Sequence, residues 1–317
     1  MKNKWSKRIR SMSRDLGYCA SLVLGIIVLS FLLFQAFPGD PARLTLGPGA
    51  SEAAVENLRQ KWGLDRPLPA RLVDYVGGVV RLDLGTTYRD EQSVSRLVME
   101  KFQVTASIGL RAAALALAVS YFVHLIAWMF PAMRWLPSVM AAAVAVPSFL
   151  VAILGGLLLA TLVPAIALSG RGGDLWTEYS LPVVILAIYP MALMTRVLGR
   201  KIVEGRGTLY FQSQEAAGFS RAHLFHRCLL RPAAVSWLAV LFNQLSLLFL
   251  ATMIVEIIFT IPGSGKLLAQ AVQRSDFPLI QGILVFNGVF FILLLFFSEQ
   301  VYRMLLPAGT GHERRAS

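Results

Sequence analysis

An all-α integral membrane fold of about six transmembrane helices is what this sequence predicts, and three observations predict it. The 317 residues are 56% hydrophobic and 15% charged, with a mean hydropathy of +0.62, whereas an ordinary soluble domain is about one quarter charged. Uncharged runs long enough to cross the hydrocarbon recur along the chain. Basic residues gather at alternate ends of those runs, as membrane orientation requires. A water-soluble fold of this size would lack the polar residues to cover itself.

The first run, residues 18–38, has the length of a span. Lys2, Lys4, Lys7, Arg8, Arg10 and Arg14 precede it with only Asp15 opposing them, so residues 1–17 read as a cytoplasmic basic segment. A cleavable signal would have a shorter apolar core and small residues at its end; Gln35-Ala36-Phe37 is a poor cleavage site, and the run reads as a retained helix. Residues 39–103 form the long polar insertion and read as short helices in an external cap. Ser51 is placed to cap a helix carrying Val55, Leu58 and Trp62, and Gly63 to stop it. Leu72, Tyr75, Val76 and Val79 make a second apolar stripe, and Val94, Leu97 and Val98 a third.

Residues 104–306 then read as a five-helix core, with spans at 112–132, 136–170, 180–195, 232–255 and 277–298, and residues 307–317 as a tail. The span at 180–195 is short, with Pro182 and Pro190 inside it, and needs polar neighbours to complete a crossing. Pro147, Pro164, Pro182 and Pro190 free backbone carbonyls, which fits a water-lined path and fits kinked packing as well. With both termini inside, the cytoplasmic segments hold 17 basic and 5 acidic residues and the rest 13 of each, so the whole net charge of +12 is cytoplasmic. Membrane orientation therefore accounts for the basic character without nucleic-acid binding.

No catalytic constellation accompanies these spans. Gly263-Ser264-Gly265-Lys266 resembles the end of a phosphate-binding loop, but Thr260 stands at the first glycine position and Leu267 where a hydroxyl is needed, so the segment reads as a turn. His124, His223, His226 and His312 are scattered, Cys19 and Cys228 lie far apart, and neither a metal site nor a disulfide is expected. Ionisable residues within spans are costly and usually face a cavity or a bundle interior. Arg111, His124 and Glu256, with Pro147 and Pro190, are the candidates for a translocation path. Snorkelling or a stabilising pair would also explain Arg111 and Glu256, and hydrogen-bonded packing would explain His124. The basic stretch 196–231 contains a portion where Ala216, Phe219, Leu224 and Phe225 share one helical side, with Arg221, His226 and Arg227 on the other. Such a helix could dock a soluble partner or rest at the headgroups.

Three motifs carry a family resemblance over nearly the whole chain. The first is external: Pro38-Gly39-Asp40-Pro41-Ala42, Gly63-Leu64-Asp65 with Pro67, and Leu82-Asp83-Leu84-Gly85-Thr86. The second is the segment 210–231, with Gly218 and Ser220 followed by Arg227 and Arg231. The third is Val255-Glu256, Phe259, Pro262-Gly263, Gly265, Leu268, Ala271, Asp276, Pro278 and Gly282. In these the chain resembles the first permease subunit of oligopeptide, dipeptide and nickel ABC importers. It departs from that pattern at Pro232, where asparagine is frequent, at Arg111, and in a short loop at 130–136.

The resemblance implies a type I ABC importer transmembrane domain in the bacterial inner membrane, with both termini cytoplasmic. It implies pairing with a second permease, two ATPase subunits that hold ATP and Mg, and a soluble or lipid-anchored substrate-binding protein. This chain would then bind no cofactor or metal and catalyse nothing. The implied ATPase-coupling residues are Gln212, Glu215, Ala216, Gly218, Phe219, Ser220, Arg221, Arg227 and Arg231, in a coupling helix over 213–225; in the general permease register the acidic position falls on Gln212 rather than Glu215. The external-loop residues are Asp83, Gly85, Phe259, Pro262, Gly263, Gly265, Asp276 and Pro278. Short peptides are the expected cargo, with nickel or a metal chelate as the alternative. Two other classes remain open: an ion-driven secondary transporter, which would work without an ATPase and usually shows an inverted repeat, and a membrane scaffold that only docks soluble proteins.

Overall fold

The computed structural model describes residues 2–35, 39–47, 49–145, 150, 154 and 179–305. Among these the secondary structure is helical throughout, apart from an isolated bridge between Thr86 and Ser93. The chain divides into two compact units, Met1–Val104 with Pro262–Phe296, and Thr105–Ile261 with Phe297–Ser317. Five of the described helices are long and apolar enough to cross a membrane. The expected span at 136–170 is described at 136–145, 150 and 154; the rest, with Pro147 and Pro164, lies outside the described residues.

In the first unit, α1 (Lys2–Gln35) carries the opening apolar run, and α2 (Pro41–Leu46), α3 (Glu52–Lys61) and α4 (Leu68–Val80) make the polar insertion. Asp40 Oδ1 accepts from Ala42 N at 3.0 Å and Ser51 Oγ from Ala54 N at 3.3 Å, so both short helices start on a side-chain cap. Gly63 follows α3 at φ +64, a left-handed conformation that ends the helix cheaply only at glycine. The third stripe is not a separate cap helix. Val94, Leu97 and Val98 begin α5 (Val94–Met129), which runs on without a break through the next span. Val94 and Val98 pack with Ala271 of α10 (Ser264–Gln273) and Ile283 of α11 (Phe277–Leu305), all fully buried. The turn therefore occupies residues 259–263, and Ser264, Gly265 and Lys266 form the first turn of α10.

In the second unit, α6 (Leu136–Ala142) and α7 (Ser180–Arg206) pack together, and α7 lies along α9 (Arg221–Ile258). The short apolar run at 180–195 lies in a longer helix, which continues eleven residues further through charged residues to Arg206, with Pro190 buried in its interior. The segment linking α7 to α9 is correspondingly brief and contains α8 (Leu209–Ala216). Trp237 Nε1 donates to Ser120 Oγ at 3.0 Å, pinning α9 to α5. Within α9, Leu224–Leu230 winds as a π-helix. Pro232 follows it, and a proline ring clashes with the carbonyl four residues earlier, here that of Cys228; widening the turn relieves the clash.

Candidate functional site

The segment between α7 and α9 gathers most of the residues singled out from the sequence. Thr208 opens α8 by accepting from Phe211 N at 3.3 Å. Phe211 then inserts into a small core with Leu224, Cys228 and Leu229, closed by Trp128 and Ile202. α8 ends in a two-bond glycine cap: Gly218 N donates to Glu215 O at 3.0 Å and Phe219 N to Gln214 O at 3.3 Å, with Gly218 at φ +78. Ser220 at once caps α9 by accepting from His223 N at 3.3 Å.

A single coupling helix over 213–225 is therefore not what the chain forms. Gly218 stops one helix and Ser220 starts another. The shared apolar side divides accordingly: Leu224 and Phe225 are buried, while Ala216 and Phe219 are exposed, Phe219 stacking on His223 with ring centroids 4.6 Å apart.

The corner is tied to the end of α5 by contacts that sequence reading missed. Trp128 Nε1 donates to Arg221 O at 2.9 Å, and Arg221 Nη1 donates to Met129 O at 3.0 Å, satisfying a carbonyl of the last turn of α5. Tyr121 and His226 meet at 2.8 Å. Because His226 Nδ1 lies 2.9 Å from Ala222 O, which can only accept, Nδ1 carries the hydrogen and Nε2 accepts from the Tyr121 hydroxyl. Gln212, Glu215, Ala216, Gly218, Phe219, Ser220, Arg221, Arg227 and Arg231 are all exposed, as are Leu209 and Tyr210. The corner is thus braced from behind and presents mixed apolar and charged groups in front, which is what a partner-binding surface needs.

Among the described path candidates, Arg111 and His124 lie well apart on α5. Arg111 is half-buried and donates to Ser107 O at 3.1 Å and Ser107 Oγ at 3.0 Å. His124 is thirteen residues further along α5, about 20 Å at helical rise. It is buried, with Nδ1 2.9 Å from Ser120 O. Glu256 is fully buried near the far end of α9, and Pro190 is buried in α7. Pro147 lies outside the described residues.

The external-loop residues Asp83, Gly85 and those at 262–278, far apart in sequence, meet within the first unit, while Phe259 belongs to the second. Asp83 Oδ1 accepts from Gly85 N at 2.9 Å, and Gly85 sits at φ +81. Asp276 is buried and its Oδ1 accepts from Tyr88 N at 3.3 Å and from Leu279 N at 3.4 Å, capping α11 and holding the loop that follows Gly85. Burial pushes the Asp276 carboxyl above the usual carboxylate range, and the two backbone donors oppose the shift. A Cβ on Gly282 would stand 2.3 Å from Val94 Cγ1, so glycine is what lets α11 reach α5. Gly263 and Gly265 are buried at the start of α10, while Pro262 is exposed and Phe259 and Pro278 are partly exposed.

With this geometry in hand, the comparisons with known proteins are specific. Residues 108–308 match the family described as binding-protein-dependent transport system inner membrane component, and residues 9–109 match its N-terminal companion. The chain is 31% identical over 295 residues to a Brucella abortus (strain 2308) protein provisionally named a peptide transport system permease, covering 90% of this chain and 94% of that one. It is 29% identical over 303 residues to the glutathione transport system permease protein of Escherichia coli K12, covering 92% and 98%. The glutathione transport system permease protein of Pectobacterium atrosepticum is 28% identical over 299 residues, covering 94% and 97%.

Proposed function

This chain belongs to the family of binding-protein-dependent transport system inner membrane components and is a permease subunit of an ABC importer; from that premise we propose that it passes short peptides taken from a binding protein. The names of its relatives support this cargo, since glutathione is itself a tripeptide. The chain pairs with a second permease to line the path, two ATPase subunits supply the energy, and this subunit hydrolyses nothing. Its termini face the cytoplasm, on the side of the ATPases, as the basic residues before α1 and between α7 and α9 favour.

The observation that carries the coupling role is the braced corner at 217–220. An ATPase subunit that grips the exposed front of α8 and Phe219 moves the Gly218 turn. That turn has no give of its own, because Ser220, Arg221 and Trp128 fasten it to the start of α9 and the end of α5. ATP-driven closure at the corner thereby becomes displacement of two spans, and the path between the permeases opens to alternate sides.

The test is ATP hydrolysis and peptide uptake by the complete transporter in lipid, comparing wild type with Gly218→Trp. A side chain at φ +78 costs about 1–2 kcal/mol, and an indole there obstructs the partner's surface. Assembly with loss of peptide-stimulated hydrolysis is expected. Unchanged hydrolysis and uptake would remove the corner from the coupling mechanism.

A further inference from the structure

Within the first unit, α1 and α11 run antiparallel and share their levels. Phe34 meets Phe277 with ring centroids 5.7 Å apart, and a Cβ on Gly288 would stand 2.8 Å from Ile26 Cδ1. Their apolar runs, 18–34 and 277–298, therefore cover the same layer. The second run rises about 33 Å, close to one hydrocarbon thickness of about 30 Å. The start of α5 lies inside that layer. Val94 sits against Gly282, and the Phe102 ring is 5.0 Å from that of Phe286 and 4.6 Å from that of Phe290. Phe102 is thus level with a point about eleven residues past Phe277, or about 16 Å.

Residues 94–103, whose charges suggest the external cap, are by this register beside the middle of two spans, and one face of them is polar. Arg96, Glu100 and Gln103 recur at helical spacing on the side of α5 turned away from Val94, Val98 and Phe102, and all three are exposed. Counted along the helix from Phe102, they lie about 7 to 18 Å into the layer. Charge at that depth is expensive against lipid and faces water or protein. Glu100 is matched by Lys101 at 2.7 Å, whereas among the described residues no carboxylate pairs with Arg96. A seam with the second permease would bury that cation without a counter-ion from this chain, and interface cores are depleted of charge. On the reading of this subunit as one wall of a peptide path, we propose that the row Arg96, Glu100 and Gln103 lines the outer half of the water-filled path, and that Arg96 receives the free carboxylate of the passing peptide. The fork of guanidinium donors matches a carboxylate, and the Gln103 amide can bond to peptide N–H and C=O groups alike. Because Lys101 neutralises the acid of the row, the remaining cation is left for cargo.

The complete transporter carrying Gln103→Cys, in lipid vesicles with a membrane-impermeant methanethiosulfonate on both sides, tests the row; Cys19 and Cys228 are buried and give little background. Labelling is expected at a rate that changes severalfold between the resting transporter and one trapped with ATP and vanadate, as the path alternates. Labelling at one rate in every state would put the row in open water outside the membrane, and no labelling in any state would put it against lipid or the second permease; either result overturns the proposal. Arg96→Gln then reads the cargo contact. Uptake of a tripeptide with a free carboxylate should fall about tenfold relative to wild type, and uptake of the same tripeptide amidated at its C-terminus by much less. The preference of the binding protein cancels in that ratio. Arg96→Lys should recover most of the loss, whereas an equal fall for both peptides overturns the carboxylate contact. Wild type that takes up neither peptide, while labelling at residue 103 still follows the ATP cycle, would refute the peptide reading and the carboxylate contact with it, and leave the water-lined row standing.

Discussion

Asp276 shows how one side chain holds a family motif together and what that costs. Its carboxyl is raised above its ordinary 3.8 by burial, with Asp90 adding to the shift and the Tyr88 and Leu279 amides and Arg89 opposing it. A raised carboxylate binds its proton more tightly folded than unfolded. Its contribution is therefore full below about pH 4 and is lost as pH rises through the folded value. Asp276→Asn keeps the Oδ1 acceptor and removes the charge, so thermal unfolding at pH 7 should occur at an equal or higher temperature than wild type, with the two converging toward pH 4. A lower midpoint at pH 7 would mean that the ionised form is needed. The sequence marks this aspartate as part of a motif, but its partner Tyr88 lies 188 residues away and no local pattern reveals it. Trp128 was unreadable for the same reason: at the end of an apolar run it looks like one more membrane anchor, and only packing shows its indole bonded to Arg221.

Helices were legible where apolar period and capping residues agreed. Ser51, the Val55 stripe and Gly63 bound α3 correctly, because each signal acts within a turn of its neighbour. The break between α8 and α9 was equally present in the letters, since Gly218 and Ser220 are a stop followed by a start, yet the amphipathic pattern across 213–225 hid it. The extension of α7 past residue 195 was hidden by its charges, which sit on a helix rather than ending it. Close helix approach gives a graded prediction. Gly282→Ala should cost about 1–3 kcal/mol, because a Cβ 2.3 Å from Val94 Cγ1 forces one helix to move. Gly25→Ala, with nothing within 4 Å, should be neutral or stabilising. Thermal denaturation of the two variants ranks them; Gly282→Ala matching wild type would show that α11 is free to shift away from α5. Val94→Ala should restore most of the loss.

The whole molecule was legible as a membrane protein because composition and charge distribution are global properties that no tertiary detail can reverse. The orientation proposed from the same charges has a direct test. In intact cells a membrane-impermeant maleimide should label Asn57→Cys and spare Ser213→Cys, both at exposed positions, with little background from the buried Cys19 and Cys228. Labelling of Ser213→Cys alone would invert the topology. What composition could not supply is how force moves through the subunit, and there the length of α9 matters. Its 38 residues from Arg221 to Ile258 extend about 57 Å. Were the proposed coupling to pivot it near the corner, a tilt of about 5° would sweep the opposite end by roughly 5 Å, near one full helical pitch. The gearing works in reverse too: slack of a fraction of an ångström at the fulcrum becomes several times larger at the tip. In the coupling proposed above, a joint fastened at Gly218, Ser220, Arg221 and Trp128 would serve as a bearing, and its tightness would set the mechanical precision with which the far end of the span is positioned.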